Sequence, residues 1–393
     1  MKSAVTLPVS ARAATQAAIL LILFNPLGID LYLAAMPAMQ RFFQADVAAS
    51  LSVFVFSLGL GQLWFGPLAD RIGRRPVALA GLAVYAASAG LICWAQSIEV
   101  FLLLRLLQGL GASASAVCAF TVVRDCFSGN QAAQRYSLLN GALNVVPALA
   151  PTMGGLLAAR QGWQACFAAL AASAALVLAY LLWRMPETRP AGMADETPPR
   201  LGQLLAEPAL IRYGACCVSA LGLIIGYVTL APAVLIERGG LSPERFGLLF
   251  GANALLIMAA SFLGLRLIAR FGQLAMLKAG LALMGLAGVL LLALAGQEGA
   301  WHYLLPVAVL SAGFAFCLGP ANSLAMAPFS SGAGRAAALL GCGQMLFASA
   351  LSAALAALPL PGEIALGGAA LLLCACCFAQ LRRPEPALAR AGR

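Results

Sequence analysis

Two charged side chains stand deep inside long apolar runs, Asp30 and Arg105, and together they have the chemistry of a proton carrier beside a fixed cation. An ionised group in hydrocarbon is expensive, so it normally faces a cavity or a partner and marks a functional position. Burial disfavours the charged carboxylate and a nearby guanidinium favours it, so a change of surroundings could load and unload a proton at Asp30. Arg105 would orient or discharge that acid. The other reading is a fixed ion pair that only holds two helices together. At 1.5 Å of rise per helical residue, Asp30 lies about 12 Å and Arg105 about 9 Å below the same membrane surface, so the two could meet.

Other polar and aromatic residues punctuate the apolar runs: Tyr32, Gln108, Asn140, Asn144, Tyr227, Asn253, Asn322 and Gln344. Asn140 and Asn144 are spaced i,i+4, and Pro147 and Pro151 continue that spacing on one helix face. Such residues line a mostly apolar cavity with a few fixed polar groups, or they hydrogen-bond between helices. No carboxylate lies inside an apolar run of the second half, which suits neutral or monovalent amphipathic molecules better than dications.

A third group is compact. Gly66-Pro-Leu-Ala-Asp-Arg-Ile-Gly-Arg-Arg-Pro76 packs Asp70, Arg71, Arg74 and Arg75 into a turn between two apolar runs. A cluster that polar cannot sit in hydrocarbon, so the runs on either side end there, at water. Its arginines also mark which side of the membrane the turn faces. Asp125 is a candidate partner for them, and lipid phosphate is another.

The elements that must position these groups follow from composition. The chain has 393 residues, 62% of them hydrophobic and only 10% charged, well below the quarter usual in soluble domains. Twelve apolar stretches are predicted at 14–38, 48–69, 76–97, 99–123, 136–159, 163–183, 211–235, 246–265, 274–296, 302–327, 336–357 and 363–381. They use nearly the whole chain and leave no room for a soluble catalytic domain. The run from Ala13 to Met39 follows Lys2 and Arg12 as a signal peptide would, but it is long enough to span and is read as the first transmembrane helix.

Of the 24 lysines and arginines, 19 fall on one side if the N-terminus is cytoplasmic, four (Arg41, Arg160, Arg238 and Arg245) fall on the other, and Arg105 lies within a span. That asymmetry places both termini in the cytoplasm. The net charge of +10 is scattered over short loops, so no nucleic-acid partner is expected. His302 is the single histidine and the eleven cysteines lie mostly in apolar runs, so no metal is expected. The hydrophilic stretch from Arg184 to Arg212, with Pro190, Pro198 and Pro199, separates six spans from six. The expected domains are a bundle at 1–189, a cytoplasmic linker at 190–209 and a second bundle at 210–393. Arg71-Ile-Gly73 after the second span recurs as Arg270-Phe-Gly272 after the eighth, a trace of duplicated halves.

These residues resemble the major facilitator superfamily, in particular its drug/proton antiporter branch of Bcr/CflA type, along the whole chain. The Gly66–Arg75 run looks like that superfamily's loop 2–3 motif. Arg105-Leu-Leu-Gln-Gly-Leu-Gly-Ala112 is similar to its RxxQGxGA motif. Pro147-Ala-Leu-Ala-Pro-Thr-Met-Gly-Gly155 resembles the antiporter motif of the fifth span, marking Pro147, Pro151, Gly154 and Gly155, with Ala150-Pro151 in place of Gly-Pro. Pro186-Glu-Thr188 resembles the usual end of the sixth span. Asp30-Leu-Tyr-Leu-Ala-Ala-Met-Pro37 is similar to the branch's DxYLPxxP pattern, with Ala34 where proline is usual, so the residue expected to kink the helix there is missing. Val122–Asp125, Ser97–Phe101 and Gly111–Ser115 are similar to the phenicol exporters of the branch.

The resemblance implies an all-α integral membrane protein of two six-helix bundles, working by alternating access in the bacterial inner membrane. It implies a latch on the cytoplasmic face formed by Gly66, Asp70, Arg71, Gly73, Arg74, Arg75 and Asp125. The expected activity is proton-coupled export of drug-like small molecules by a monomer, with the proton gradient in place of a cofactor, no enzymatic chemistry, and small molecule, proton and bilayer as its partners. Alternatives are export or import of an endogenous metabolite, siderophore or sugar, and a non-transporting membrane sensor. No soluble output domain favours the sensor.

Overall fold

A computed structural model describes residues 11–189, 204, 206–297, 299–329 and 333–382; at 129, 130, 133, 137, 140, 144, 333 and 334 it describes the backbone alone. The linker prolines Pro190, Pro198 and Pro199 lie outside the described residues.

Among the described residues there is no strand, and twelve helices are long and apolar enough to cross a membrane. They are Ala11–Phe43, Ala49–Ile72, Arg74–Ile92, Ile98–Cys126, Gln134–Gln161 and Gln164–Arg184, then Pro208–Arg238, Pro243–Phe271, Gln273–Ala293, Trp301–Met326, Arg335–Ala357 and Gly362–Arg382, here spans 1 to 12. Several run past the limits expected from hydropathy. Span 4 continues through Arg124 and Asp125, because a helix satisfies its own backbone and extends beyond the hydrocarbon until a polar end halts it.

By contacts the chain divides into two compact units. One holds residues Met1–Ala194 with Ser242–Gly251, the other Asp195–Leu241 with Ala252–Arg393. Inside the first unit, span 3 packs on spans 4 and 6, and span 1 packs on spans 4 and 5. Inside the second, span 9 packs on spans 10 and 12, and span 7 packs on spans 10 and 11, the same pairings displaced by six. Glycines set the closest approaches at corresponding places. A Cβ on Gly81 or Gly111 would press on the other's carbonyl, and Gly280 and Gly313 stand in the same relation.

Three local features of the backbone depart from regular α-helix. First, span 1 is broken: helix runs over Ala11–Ile22 and Phe24–Asp30, a 3-10 turn follows at Leu33–Ala35, and helix resumes at Met36–Phe43. Ala34 removes one proline from this stretch, yet Pro37 still supplies no N–H at the start of the last segment, and Pro26 lies in the one before. Second, spans 2 and 3 are separated by Gly73 alone, at φ +107°, a conformation open to glycine. Third, the end of span 7 widens into a π turn at Ala233–Arg238, where Gly239 N–H bonds Val234 O at 3.0 Å, and Arg238 reaches Glu363 of span 12 at 3.6 Å.

Candidate functional site

The break in span 1 creates the first site. Because helix stops at Asp30, the last carbonyls of that segment lack helical donors. Arg105 Nη2 donates to one of them, Gly28 O, at 3.0 Å, and Arg105 Nη1 donates to Gln108 Oε1 at 2.7 Å. The guanidinium carbon lies 4.3 Å from the ring centre of Phe54, 4.6 Å from that of Tyr32 and 5.9 Å from that of Phe167. Arg105 is fully buried. A central arginine costs about 2.5–3.5 kcal/mol on insertion scales. Two hydrogen bonds to a charged group return about 1.5–3 kcal/mol each, and desolvated ring faces about 2 more. The cation is thus held with no carboxylate among the described residues paired to it.

Asp30 is 4% exposed, and the structure does not pair it with Arg105. The ion pairs recorded among the described residues all lie elsewhere. The depth comparison brought the right segments together, but the contact is made by the backbone of Gly28, two residues before the acid. Around it, Arg105 Nε finds no partner among the described residues, and the Tyr85 hydroxyl neighbours the Gln108 amide. Tyr85 escaped the sequence reading. It stands in span 3 against Phe24 with ring centres 5.2 Å apart, and nothing in its spacing distinguishes it from a core aromatic.

Gly154 of span 5 seats the broken segment: a Cβ there would collide with Leu31 O, one residue past Asp30. A Cβ on Gly155 would press less severely on Pro243 O, and Thr152 Oγ1 donates to Gly247 O at 3.1 Å. Pro147 and Pro151 lie inside the helix that continues to Gln161. The fifth-span motif is therefore a surface that admits close backbone approach on two sides. The side chains of Asn140 and Asn144 fall outside the described residues.

The remaining polar candidates sit in hydrogen-bonded or stacked positions. Tyr32 OH bonds Ser50 Oγ at 2.9 Å while its ring walls Arg105, and Gln108 serves Arg105 directly. Asn253 Nδ2 donates to Ser311 Oγ at 2.9 Å, and Gln344 Nε2 donates to Asn322 Oδ1 at 3.0 Å. The Tyr227 ring lies 6.3 Å from that of Tyr303, tilted at 41°. Cys374 and Cys377 have C-x-x-C spacing on span 12, but both thiols are buried, and no group of three His, Cys, Asp or Glu among the described residues could hold a metal.

The second site is the turn between spans 2 and 3. Arg74, fully buried, bonds Asp125 Oδ2 at 2.7 Å, Asp70 Oδ1 at 2.8 Å and Ala69 O at 2.6 Å. Arg124 adds weaker contacts at 3.8 Å to Asp70 and 3.5 Å to Asp125. Glu187, placed by sequence only at the end of span 6, is the piece that reading missed. Its carboxylate accepts from the backbone N–H of Arg74 (2.8 Å), Arg75 (3.1 Å), Thr188 (3.0 Å) and Arg189 (2.9 Å). Arg75 Nη2 donates to Leu182 O at 2.7 Å, and Arg189 Nη1 donates to Arg71 O at 2.7 Å. Desolvation pushes the Glu187 carboxyl up, but those four donors outweigh it and hold it below the usual carboxylate range. Gly73 is required twice, by its φ and because a Cβ would collide with the Glu187 carboxylate. At Gly66, by contrast, no described atom lies within 4 Å of where a Cβ would sit.

Comparison with known proteins fits this geometry. The model of the Major Facilitator Superfamily matches residues 18–357. The chain is 34% identical over 334 residues to a chloramphenicol resistance protein of Pseudomonas aeruginosa, covering 81% of this chain and 78% of that one. It is 32% identical over 330 residues to the multidrug resistance protein MdtL of Escherichia fergusonii, covering 83% of each. A D-xylose-proton symporter shares the fold, with a TM-score of 0.78 over 95% of this chain and 98% of the other at 16% identity.

Proposed function

The chain belongs to the major facilitator superfamily, and from that premise we propose that it is a proton-coupled exporter of drug-like amphipathic small molecules, of Bcr/CflA type, in the bacterial inner membrane. It is a multi-pass membrane transporter, and its relatives named for chloramphenicol and multidrug resistance support export of such molecules. The observation that carries the coupling is a buried carboxyl, Asp30, at a helix break two residues past the carbonyl that Arg105 holds, with no carboxylate among the described residues paired to that arginine. Asp30 takes a proton from one side of the membrane and yields it to the other. The spare donors of Arg105 stabilise the carboxylate while it is charged. Both termini are cytoplasmic, as the basic loops demand, and the turn at Gly66–Pro76 then acts as a latch on that face. The protein works as a monomer, needs no cofactor beyond the proton gradient, and performs no chemistry on its substrate.

The test is expression in an efflux-deficient strain, with susceptibility measured across chloramphenicol, other neutral or monovalent amphipathic antibiotics, and dications. Wild type raises resistance to the first two classes, Asp30→Asn does not, and Asp30→Asn vesicles lose substrate-driven proton movement. Proton movement equal to wild type in those vesicles would reject the role of Asp30. Unchanged susceptibility to every compound would reject drug export in favour of an endogenous substrate.

A further inference from the structure

The geometry points to a binding site for one anionic phospholipid on the second unit, a role independent of the transport reading above. A groove of about 560 Å³ opens there, lined by Leu267 and Phe271 of span 8, Ala275, Ala279 and Leu286 of span 9, and Phe316 of span 10, with no polar side chain in its walls. Along span 9 the lining runs from Ala275 to Leu286, about 17 Å at 1.5 Å per residue. One leaflet of hydrocarbon is about 15 Å, half of a core of about 30 Å, so the groove matches the depth of a single acyl chain.

What selects the occupant is the charge at one end. At that end spans 8 and 9 meet at Gly272, and there the Arg270 guanidinium lies 5.3 Å from the ring centre of Phe271, a groove wall. Arg266 and Lys278 are exposed on the same two helices, and none of the three makes an ion pair among the described residues. From Phe246 to Gly362 the sequence contains a single acid, Glu298, twenty residues past Lys278 in the chain. An apolar slot one leaflet deep with an unopposed cationic mouth fits a lipid whose headgroup carries net negative charge. Zwitterionic lipid would fill the slot equally but leave the mouth unanswered.

Native mass spectrometry of the full chain from nanodiscs of phosphatidylglycerol and phosphatidylethanolamine tests this. Wild type should retain one phosphatidylglycerol with at least about fivefold preference over its share of the mixture, the factor equivalent to about 1 kcal/mol for one basic residue at an anionic surface. Arg270→Gln with Lys278→Gln should abolish the preference, Arg270→Lys should keep most of it, and Ala279→Trp should expel the lipid while leaving the charges in place. The same spectra report whether each variant remains folded and monodisperse. Retention in proportion to the mixture, unchanged preference in both the charge and the groove variants, or a dimer lacking the lipid would each overturn the proposal.

Discussion

Arg74 and Arg105 are both fully buried in the first unit, and the molecule holds them by opposite means. Arg74, at the water interface, is neutralised twice, by Asp125 and by Asp70. Arg105, within a span, is held by a freed carbonyl, an amide oxygen and three aromatic faces, with no negative charge. The first arrangement fixes one geometry, since breaking it strands a buried carboxylate. The second leaves a positive field unanswered in a low-dielectric setting, open to a charge that arrives and departs. A clamp and a charge receptor can therefore be told apart by what neutralises the arginine, although burial alone makes them look the same.

The contrast can be broken most forcefully at the clamp. Arg74→Ala leaves Asp125, itself only 4% exposed, with just the longer 3.5 Å contact to Arg124, and should lower stability by about 3 kcal/mol, read as thermal unfolding in detergent. Arg74→Leu combined with Asp125→Leu should recover most of that loss. If the double variant is no better than the single, the cost does not come from the unpaired carboxylate.

At the other arginine the effect should be smaller on stability and larger on transport. Arg105→Lys keeps the charge but gives up the planar fork that serves Gly28 and Gln108 together, costing about 1.5–3 kcal/mol for one charged hydrogen bond. Transport by Arg105→Lys should fall at least about tenfold, the rate factor for 1.4 kcal/mol, and Arg105→Gln should abolish it. Full transport by Arg105→Gln would collapse the contrast, because the positive field would then have no role.

The smallest effect sharpens the clamp side. Glu187 is titrated below the ordinary carboxylate range when folded, so its contribution is present above that range and is lost as pH falls through the folded value. Glu187→Gln should cost about 0–1 kcal/mol near neutral pH, as exposed charge interactions do, and the difference from wild type should begin to shrink below about pH 4.3, the ordinary glutamate value, and vanish only below the lower folded value. A difference that persists at lower pH would assign the effect to shape and not to charge.

The twelve spans were legible because hydropathy registers length, and length is what a bilayer selects. Arg74 and Asp125 were legible because charges at the ends of apolar runs have few places to go. The Asp30–Arg105 neighbourhood was legible only to the level of depth. Hydropathy carries no record of the break after Asp30, and that break is what offers Gly28 O to Arg105 in place of the acid. Glu187 was legible only as part of the end of the sixth span: 113 residues separate it from Arg74, and its partners are backbone amides, which leave no mark in a sequence. Tyr85 has a sequence signal no different from that of any packed aromatic.

The π turn at Ala233–Arg238 has a consequence for how this chain can vary. A π turn holds one residue more than the α-helix around it needs, so the loss of one residue there would close it to ordinary winding without turning what lies beyond. Arg238 would then keep its reach to Glu363. Along this segment a family tree should record a change of length as readily as a change of letter, because the turn carries the spare residue.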